Sequence, residues 1–158
     1  MQRSFLLNIF LALVWTFLQG ELQVSNFVVG FVVGYIVLAL SQHILGQQAY
    51  VAKVGQVAAF VLFFLWDITW ASIKLAWIIV QPRLTLRPAI VAVPLDARTS
   101  AEIAMLANLI TLSPGTLSVD VSSDRETLYV HTILLEDPES LRREIKSGYE
   151  RRVLEVMR

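Results

Sequence analysis

Three apolar helices followed by a small α/β domain of order β-α-β-β-α are expected of this chain, on three observations. The 158 residues are 56% hydrophobic and 16% charged, an apolar share beyond that of an average water-soluble domain. The charge is unevenly placed: residues 1–81 carry only Arg3, Glu21, Lys53, Asp67 and Lys74, leaving 10 of 13 basic and 11 of 13 acidic residues to 82–158. The apolar pattern changes at the same point, from long runs to short segments of helical or alternating period. Residues 1–81 therefore read as a transmembrane helical region and 82–158 as a small domain built for water, together an α+β membrane protein. A net charge of zero gives no field to attract nucleic acid. The lack of cysteine removes disulfides and thiolate metal sites.

The first run, 5–18, is broken only by Asn8 and Thr16 and reaches roughly 24 Å as a helix. Arg3 ahead of it would suit a secretory signal, but Thr16-Phe17-Leu18-Gln19 offers no small-x-small cleavage site, so the segment reads as retained. The second run, 27–45, is long enough for a hydrocarbon core of roughly 30 Å. Gly30 and Gly34 share one face of it and either notch the helix for a close neighbour or reflect the commonness of glycine in membrane helices. With only residues 20–25 between them, the first two segments could also form a short re-entrant hairpin. The third run, 51–80, would reach roughly 45 Å and should tilt or project from the bilayer. Trp66, Trp70 and Trp77 fall within about 40° of each other on it, and Asp67 and Lys74 share the adjacent stripe, which should face protein. Lys74, near the end, can snorkel. Asp67 is deeper, where an ionisable group pairs or lines an ion route, and pairing with a partner subunit is the favoured reading. Lysine and arginine near the ends count two against two, Arg3 and Lys53 against Arg83 and Arg87, so charge bias does not set the orientation.

Pro82 ends the third helix and Gln81-Pro82-Arg83-Leu84-Thr85-Leu86-Arg87-Pro88 makes an extended connector. A strand over 89–93 follows, closed by Pro94. Thr99-Ser100-Ala101-Glu102 is a capping box, and Ile103, Leu106, Ala107 and Ile110 give the helix it opens one buried face. Ser113-Pro114-Gly115 turns the chain into a strand in which Leu117, Val119 and Val121 alternate with polar residues. A further strand over 126–134 presents Leu128, Val130, Thr132 and Leu134 on one face. Aligning the two apolar sets pairs Val121 with Glu126, Thr127 with Asp120, Tyr129 with Ser118 and His131 with Thr116. In that register Asp120 and His131 stand about four residues apart, roughly 13 Å, too far for an acid–base dyad. His131 then reads as a half-buried strand residue, with a sensor role left open by its titration near neutral pH. Asp137-Pro138-Glu139 opens a last helix with an apolar stripe at Leu141, Ile145, Tyr149 and Val153. Its basic residues face elsewhere, toward solvent or anionic lipid. The strand–helix–strand unit should make a parallel crossover and the hairpin add an antiparallel strand, giving a three-stranded mixed sheet with open edges.

The stretch Ala107-Asn108-Leu109-Ile110-Thr111-Leu112-Ser113-Pro114-Gly115-Thr116-Leu117-Ser118-Val119-Asp120, leading into Tyr129-Val130-His131, resembles one family: the E-type subunits of the multisubunit Mrp-type monovalent cation/proton antiporters. The connector Arg83-Leu84-Thr85-Leu86-Arg87-Pro88-Ala89-Ile90-Val91 resembles the family's own, with Ala89 where glycine is often found and Ser113 where threonine is frequent. The resemblance implies an accessory subunit, not an enzyme, of a bacterial inner-membrane complex exchanging chiefly Na⁺ for protons. It implies a multi-pass chain with a cytoplasmic C-terminal domain. Large A and D type subunits would carry the ion path, with small B, C, F and G type subunits and membrane lipid as further partners. Asn108, Thr111, Pro114, Gly115, Thr116, Asp120 and His131 would be structural or interface residues, and Asp67 and Lys74 intramembrane polar or interface positions. No cofactor, metal or catalytic group is expected. A free-standing membrane-tethered sensor or binding module is the alternative. A membrane enzyme cradling an anion at Pro114-Gly115-Thr116 ranks below both, since no glycine-rich loop feeds a helix and no base is positioned beside a serine.

Overall fold

The computed structural model describes residues 2–41, 48–81 and 86–158. The end of the second apolar run, His43, and Pro82 to Thr85 of the connector lie outside the described residues. The chain groups into two compact units, Met1–Ala58 and Ala59–Arg158.

In the first unit α1 (Gln2–Leu18) and α2 (Val24–Leu40) form a hairpin. Each has 17 residues, about 25 Å at 1.5 Å per residue, less than a full crossing needs. Gly20, with φ 74°, takes the left-handed turn that a side chain would resist. Glu21 then braces the entry to α2, its backbone carbonyl accepting from Asn26 Nδ2 at 3.0 Å and its carboxylate from Gln23 Nε2 at 2.9 Å. The polar residues that interrupt the first apolar run are its buried face: Asn8, Ala12 and Thr16 stand four apart and are closed off from solvent. Thr16 satisfies its hydroxyl on the Ala12 carbonyl at 2.8 Å.

The third helix, α3 (Gln48–Val80), has 33 residues and leads from the first unit into the second. Tyr50–Val80 is the only stretch among the described residues long and apolar enough, by length and composition, to cross a bilayer.

The second unit carries β1 (Ala89–Pro94), α4 (Ser100–Leu112), β2 (Thr116–Val121) and β3 (Thr127–Thr132). A C-terminal helix follows in three segments: α5 (Pro138–Arg143), a π-helical segment (Glu144–Glu150) and α6 (Arg151–Met157). The capping box at Thr99 and Glu102 is formed in both directions, and Asp137 caps α5 through Ser140 N–H at 2.8 Å. One face of the sheet supplies Val91, Val93, Leu128 and Val130, which pack on Leu106, Ile110, Ile145, Tyr149 and Val153. A side chain fully buried there contributes roughly 1.5–3 kcal/mol. Phe60 of α3 belongs to this core, and Phe63 and Phe64 pack against it. The second half of α3 is thereby joined to the C-terminal fold.

The sheet departs from expectation in two ways. Its order is β1-β3-β2 and every neighbouring pair is antiparallel, so it is not mixed. The crossover does return β2 in the direction of β1, but a strand's width away, and β3 fills the gap as a split β-α-β unit. The hairpin register also differs. Val121 faces Leu128 and Asp120 faces Tyr129; after an irregularity between Ser118 and Asp120, Ser118 faces Val130, Leu117 faces His131 and Thr116 faces Thr132. Val119 is thus the extra residue of a bulge. Leu117 and Val119 point to the open face, and Thr116 and Ser118 turn toward α4. The alternation of β2 misleads because those two hydroxyls have acceptors waiting on the helix.

Candidate functional site

Asp67 and Lys74, the charged residues in the second half of α3, face the C-terminal fold along one seam. Phe60, Phe63, Phe64, Asp67, Ala71, Lys74, Leu75 and Ile78 recur at the three- and four-residue spacings of one helix face. At one end of the seam the Phe63 ring meets Tyr149 edge-on, centroids 6.1 Å apart, and the Arg152 guanidinium lies 3.7 Å from the Phe63 centroid. One turn on, the Tyr149 hydroxyl donates to the Asp67 carboxylate. Tyr149 is only 5% exposed; burial first, then its bond to Asp67, pushes its hydroxyl well above the ordinary tyrosine range. Farther along, Lys74 and Glu144 line a cleft of about 150 Å³ with Ala71, Leu75 and Ile78 on one wall and the turn Ser113, Pro114, Gly115 and Thr116 on another. Desolvation, then the negative charge of Asp67, raises the Glu144 carboxyl, and Lys74 opposes that rise. Asp67 therefore does find a protein partner, but within its own chain. The arrangement fastens the helix to the fold.

The motif residues build the other wall. Gly115 has φ 97°, a conformation that side chains resist, and its carbonyl accepts from Ile133 N–H at 3.0 Å. The Thr116 hydroxyl donates to the Ile110 carbonyl at 2.7 Å, Ser118 Oγ to Ala107 O at 3.0 Å, and Thr111 Oγ1 accepts from Ser118 N–H at 3.2 Å. The strand that follows α4 is thus tied to carbonyls of its last two turns. Pro114 is half-buried beside the cleft and Asn108 is exposed on α4.

Gly30 and Gly34 lie where α2 meets α1. A Cβ on Gly34 would stand 2.3 Å from Asn8 Oδ1, and one on Gly30 would stand 2.8 Å from Trp15 Cβ and 2.9 Å from the Ala12 carbonyl. Asn8 Nδ2 donates to Tyr50 Oη at 2.8 Å, and the Tyr50 ring meets Tyr35 edge-on at 6.3 Å, so three helices converge on one polar pair.

Asp120 and His131 are not joined. Asp120 Oδ1 accepts from Val121 N–H at 2.8 Å, and His131 sits one row away, between Ile90 and Leu117. The observed register puts His131 two positions along β3 from Tyr129, the partner of Asp120, not the four expected from the other alignment. Among the described residues, no three of His, Asp and Glu come together in a group able to hold a metal ion.

Tyr149 and Glu144 do not stand out in the sequence as site residues. Tyr149 reads as one more apolar member of a helix stripe, but a buried tyrosine hydroxyl needs a partner and Asp67 needs a donor, and that complementarity is the signal that could have found them. Two further carboxylates order the loop between β1 and α4. Glu150, 1% exposed, accepts from the Asp96 and Ala97 amides at 2.6 and 2.9 Å and pairs with Lys146 at 2.8 Å. Glu102 takes the Arg98 and Thr99 amides and the Arg158 guanidinium, and the arginine first, then the amides, hold its carboxyl down at about 2.

Similarity to known proteins runs the length of both units. A family described as "Na+/H+ ion antiporter subunit" matches residues 8–156. The E subunit of the Na(+)/H(+) antiporter of Alkalihalophilus pseudofirmus is 34% identical over 151 residues, 96% of each chain. Its counterpart in Bacillus subtilis is 33% identical over 153 residues, 97% of each chain. Among solved structures, a chain of the Mrp complex from Dietzia sp. DQ12-45-1b matches with a TM-score of 0.51 and 31% identity, over 65% of this chain and 96% of that one. A chain of the membrane-bound sulfane sulfur reductase, an archaeal respiratory membrane complex, matches with a TM-score of 0.59 over 97% of this chain and 98% of that one. At 24% identity this second likeness speaks for the fold alone. With a family match from Asn8 to Val156 and relatives at a third identity end to end, the chain belongs to the E-type subunits of the Na+/H+ antiporters.

Proposed function

We propose that this chain is an accessory subunit of a multisubunit Na⁺/H⁺ antiporter, a transport component and not an enzyme, and that it seats a water-facing fold against the membrane part of the complex. The observation that carries this reading is the length-wide identity to E-type antiporter subunits, supported by the likeness to a chain of an Mrp complex. Its partners on this reading are the other subunits of such a complex, in a bacterial cell membrane, with 82–158 on the cytoplasmic side. Asp67 and Lys74 serve to bind α3 to the C-terminal fold, not to carry ions. Gly30 and Gly34 serve the α1–α2 contact. The motif residues Thr111, Pro114, Gly115 and Thr116 build the α4–β2 joint, while Asn108, Asp120 and His131 sit on surfaces open to neighbours.

The test is purification of the chain by a C-terminal tag in mild detergent from its native membrane, with mass spectrometry of what accompanies it. Co-purification of large antiporter-like subunits, with loss of Na⁺/H⁺ exchange in vesicles from a deletion strain, is expected. Recovery of the chain alone from membranes that contain those subunits would replace this reading with a free-standing membrane-tethered module.

A further inference from the structure

Both charges on the second half of α3 lie on one side of it, and the rest of that half is uncharged. At about 100° per residue, Phe60, Phe64, Asp67, Ala71, Lys74 and Ile78 occupy a sector of about 80°, the seam against the C-terminal fold. Trp66, Trp70 and Trp77 form a row along the axis about 100° round from the centre of that seam. They are 71%, 61% and 71% exposed. Phe63 and Leu75 flank the seam, and the other residues between 61 and 80 fall in the arc beyond the row and are apolar except Thr69 and Ser72. Those two hydroxyls are spent on the helix's own Leu65 and Ile68 carbonyls, both at 2.7 Å. Nothing on this face asks for water or a counter-charge.

The seam from Phe60 to Ile78 is about 27 Å long, almost the roughly 30 Å of a hydrocarbon core. A crossing by this half would drag the fold packed along it, with exposed Asp96, Arg98, Asp124 and Arg125, into lipid tails. The part of α3 ahead of the seam, 48–59, is about 18 Å long and too short to cross alone. We propose that the second half of α3 lies along the membrane surface, its uncharged arc in the bilayer and Trp66, Trp70 and Trp77 in a row at the headgroup boundary, with the C-terminal fold on the water side. Indoles settle at that boundary, and an in-plane helix with one apolar face requires them in a line along the axis, not in rings at its ends. Lys74, flanking the row on the seam side, is placed to reach the headgroups. The occupant is lipid because this face continues the uncharged surface of the helix from the membrane part of the chain. This inference rests on the membrane location of the chain and is independent of its accessory role.

The native chain has no cysteine, so one nitroxide can be attached at a time through Trp66→Cys, Trp70→Cys or Trp77→Cys. The full chain is reconstituted into vesicles of phosphatidylcholine and phosphatidylglycerol, and label depth is read from accessibility to oxygen against a water-soluble nickel complex. Equal, shallow depth at all three positions is expected. Ser72→Cys and Ala76→Cys, which remove no aromatic ring, should sit deeper than the tryptophan row and level with each other. A steady change of about 16 Å in depth from position 66 to 77 would mean that the helix crosses, and would overturn the proposal. So would labels open to the nickel complex with no lipid contact, which would assign this face to protein or water. Because depth is read on the chain by itself, these outcomes do not depend on whether other subunits co-purify.

Discussion

Gly34→Ala tests the α1–α2 contact, because the added methyl has one severe obstacle, the Asn8 amide. The new Cβ would lie 2.3 Å from Asn8 Oδ1 and 3.2 Å from Leu11 Cβ, so the amide must withdraw by about 1 Å to reach ordinary contact. Asn8 is fully buried and tied to Tyr50, so it cannot withdraw without loosening that bond. Overpacking of this kind costs about 1–3 kcal/mol, offset by up to about 1 kcal/mol because alanine favours helix over glycine. Asn8→Ala alone strands the buried Tyr50 hydroxyl and should cost about 1–3 kcal/mol. In the double variant the severe obstacle is gone and only the mild crowding by Leu11 stays, so the cost should fall close to that of Asn8→Ala alone, a coupling of about 1–3 kcal/mol. Gly30→Ala is the contrast. Its Cβ meets the Ala12 carbonyl and Cα at 2.9 and 3.0 Å, backbone atoms that no trimming of Asn8 relieves, so that pair should be additive. The assay is unfolding of the full chain in mild detergent, followed by circular dichroism across the four corners of each cycle. Additive Gly34/Asn8 costs, or a Gly34→Ala chain as stable as the native one, would refute the close approach of these helices.

Three further outcomes can be measured on the same chain. Tyr149→Phe removes one bond to a carboxylate and should lower stability by about 1.5–3 kcal/mol, while Asp67→Asn, which keeps an acceptor, should cost less but not nothing; an Asp67→Asn chain as stable as the native one would deny that charge strengthens the bond. Glu150→Ala leaves the Asp96 and Ala97 amides without their acceptor and strips Lys146 of one of its two carboxylates, and should cost about 3–5 kcal/mol, seen as a large fall in melting temperature; a fall of a degree or two would show the loop holds without it. Glu102 is held below its usual value of 4.5, so its stabilisation is fully present above pH 4.5 and is lost as pH falls toward about 2. Glu102→Gln should flatten the melting temperature across that acid window, and an unchanged acid profile would assign the loss to other carboxylates.

The elements are legible in the sequence and their pairing is not. Capping at Thr99 and Asp137, the stop at Ser113-Pro114-Gly115 and the stripe from Leu141 to Val153 follow from local chemistry, and each holds in three dimensions. The strand order is not local. Nothing in β1, β2 or β3 taken singly says that β3 enters between the other two. The hairpin register departs from expectation for a nameable reason: apolar alternation puts Leu117 and Val119 inward, but the hydroxyls of Thr116 and Ser118 donate to carbonyls of α4, and the bulge at Val119 lets Val121 still reach the core. The seam is half visible. The stripe of Asp67 and Lys74 reads as facing protein, but its partners, Tyr149 and Glu144, are hidden among the apolar and charged residues of the last helix.

That seam explains why the most distinctive residues of the chain sit in a turn with no catalytic partner. The turn Ser113 to Thr116 meets three constraints in four residues: a left-handed glycine, a hydroxyl returned to the helix end, and a surface that faces Ala71, Leu75 and Ile78 across the cleft. A change at Gly115 or Thr116 would move β2 relative to α4 and, through the same cleft, shift the wall that faces Lys74 and Glu144. The turn therefore acts as a joint between the C-terminal fold and α3. Its backbone conformation and its hydrogen bond to α4 set where that wall of the cleft stands.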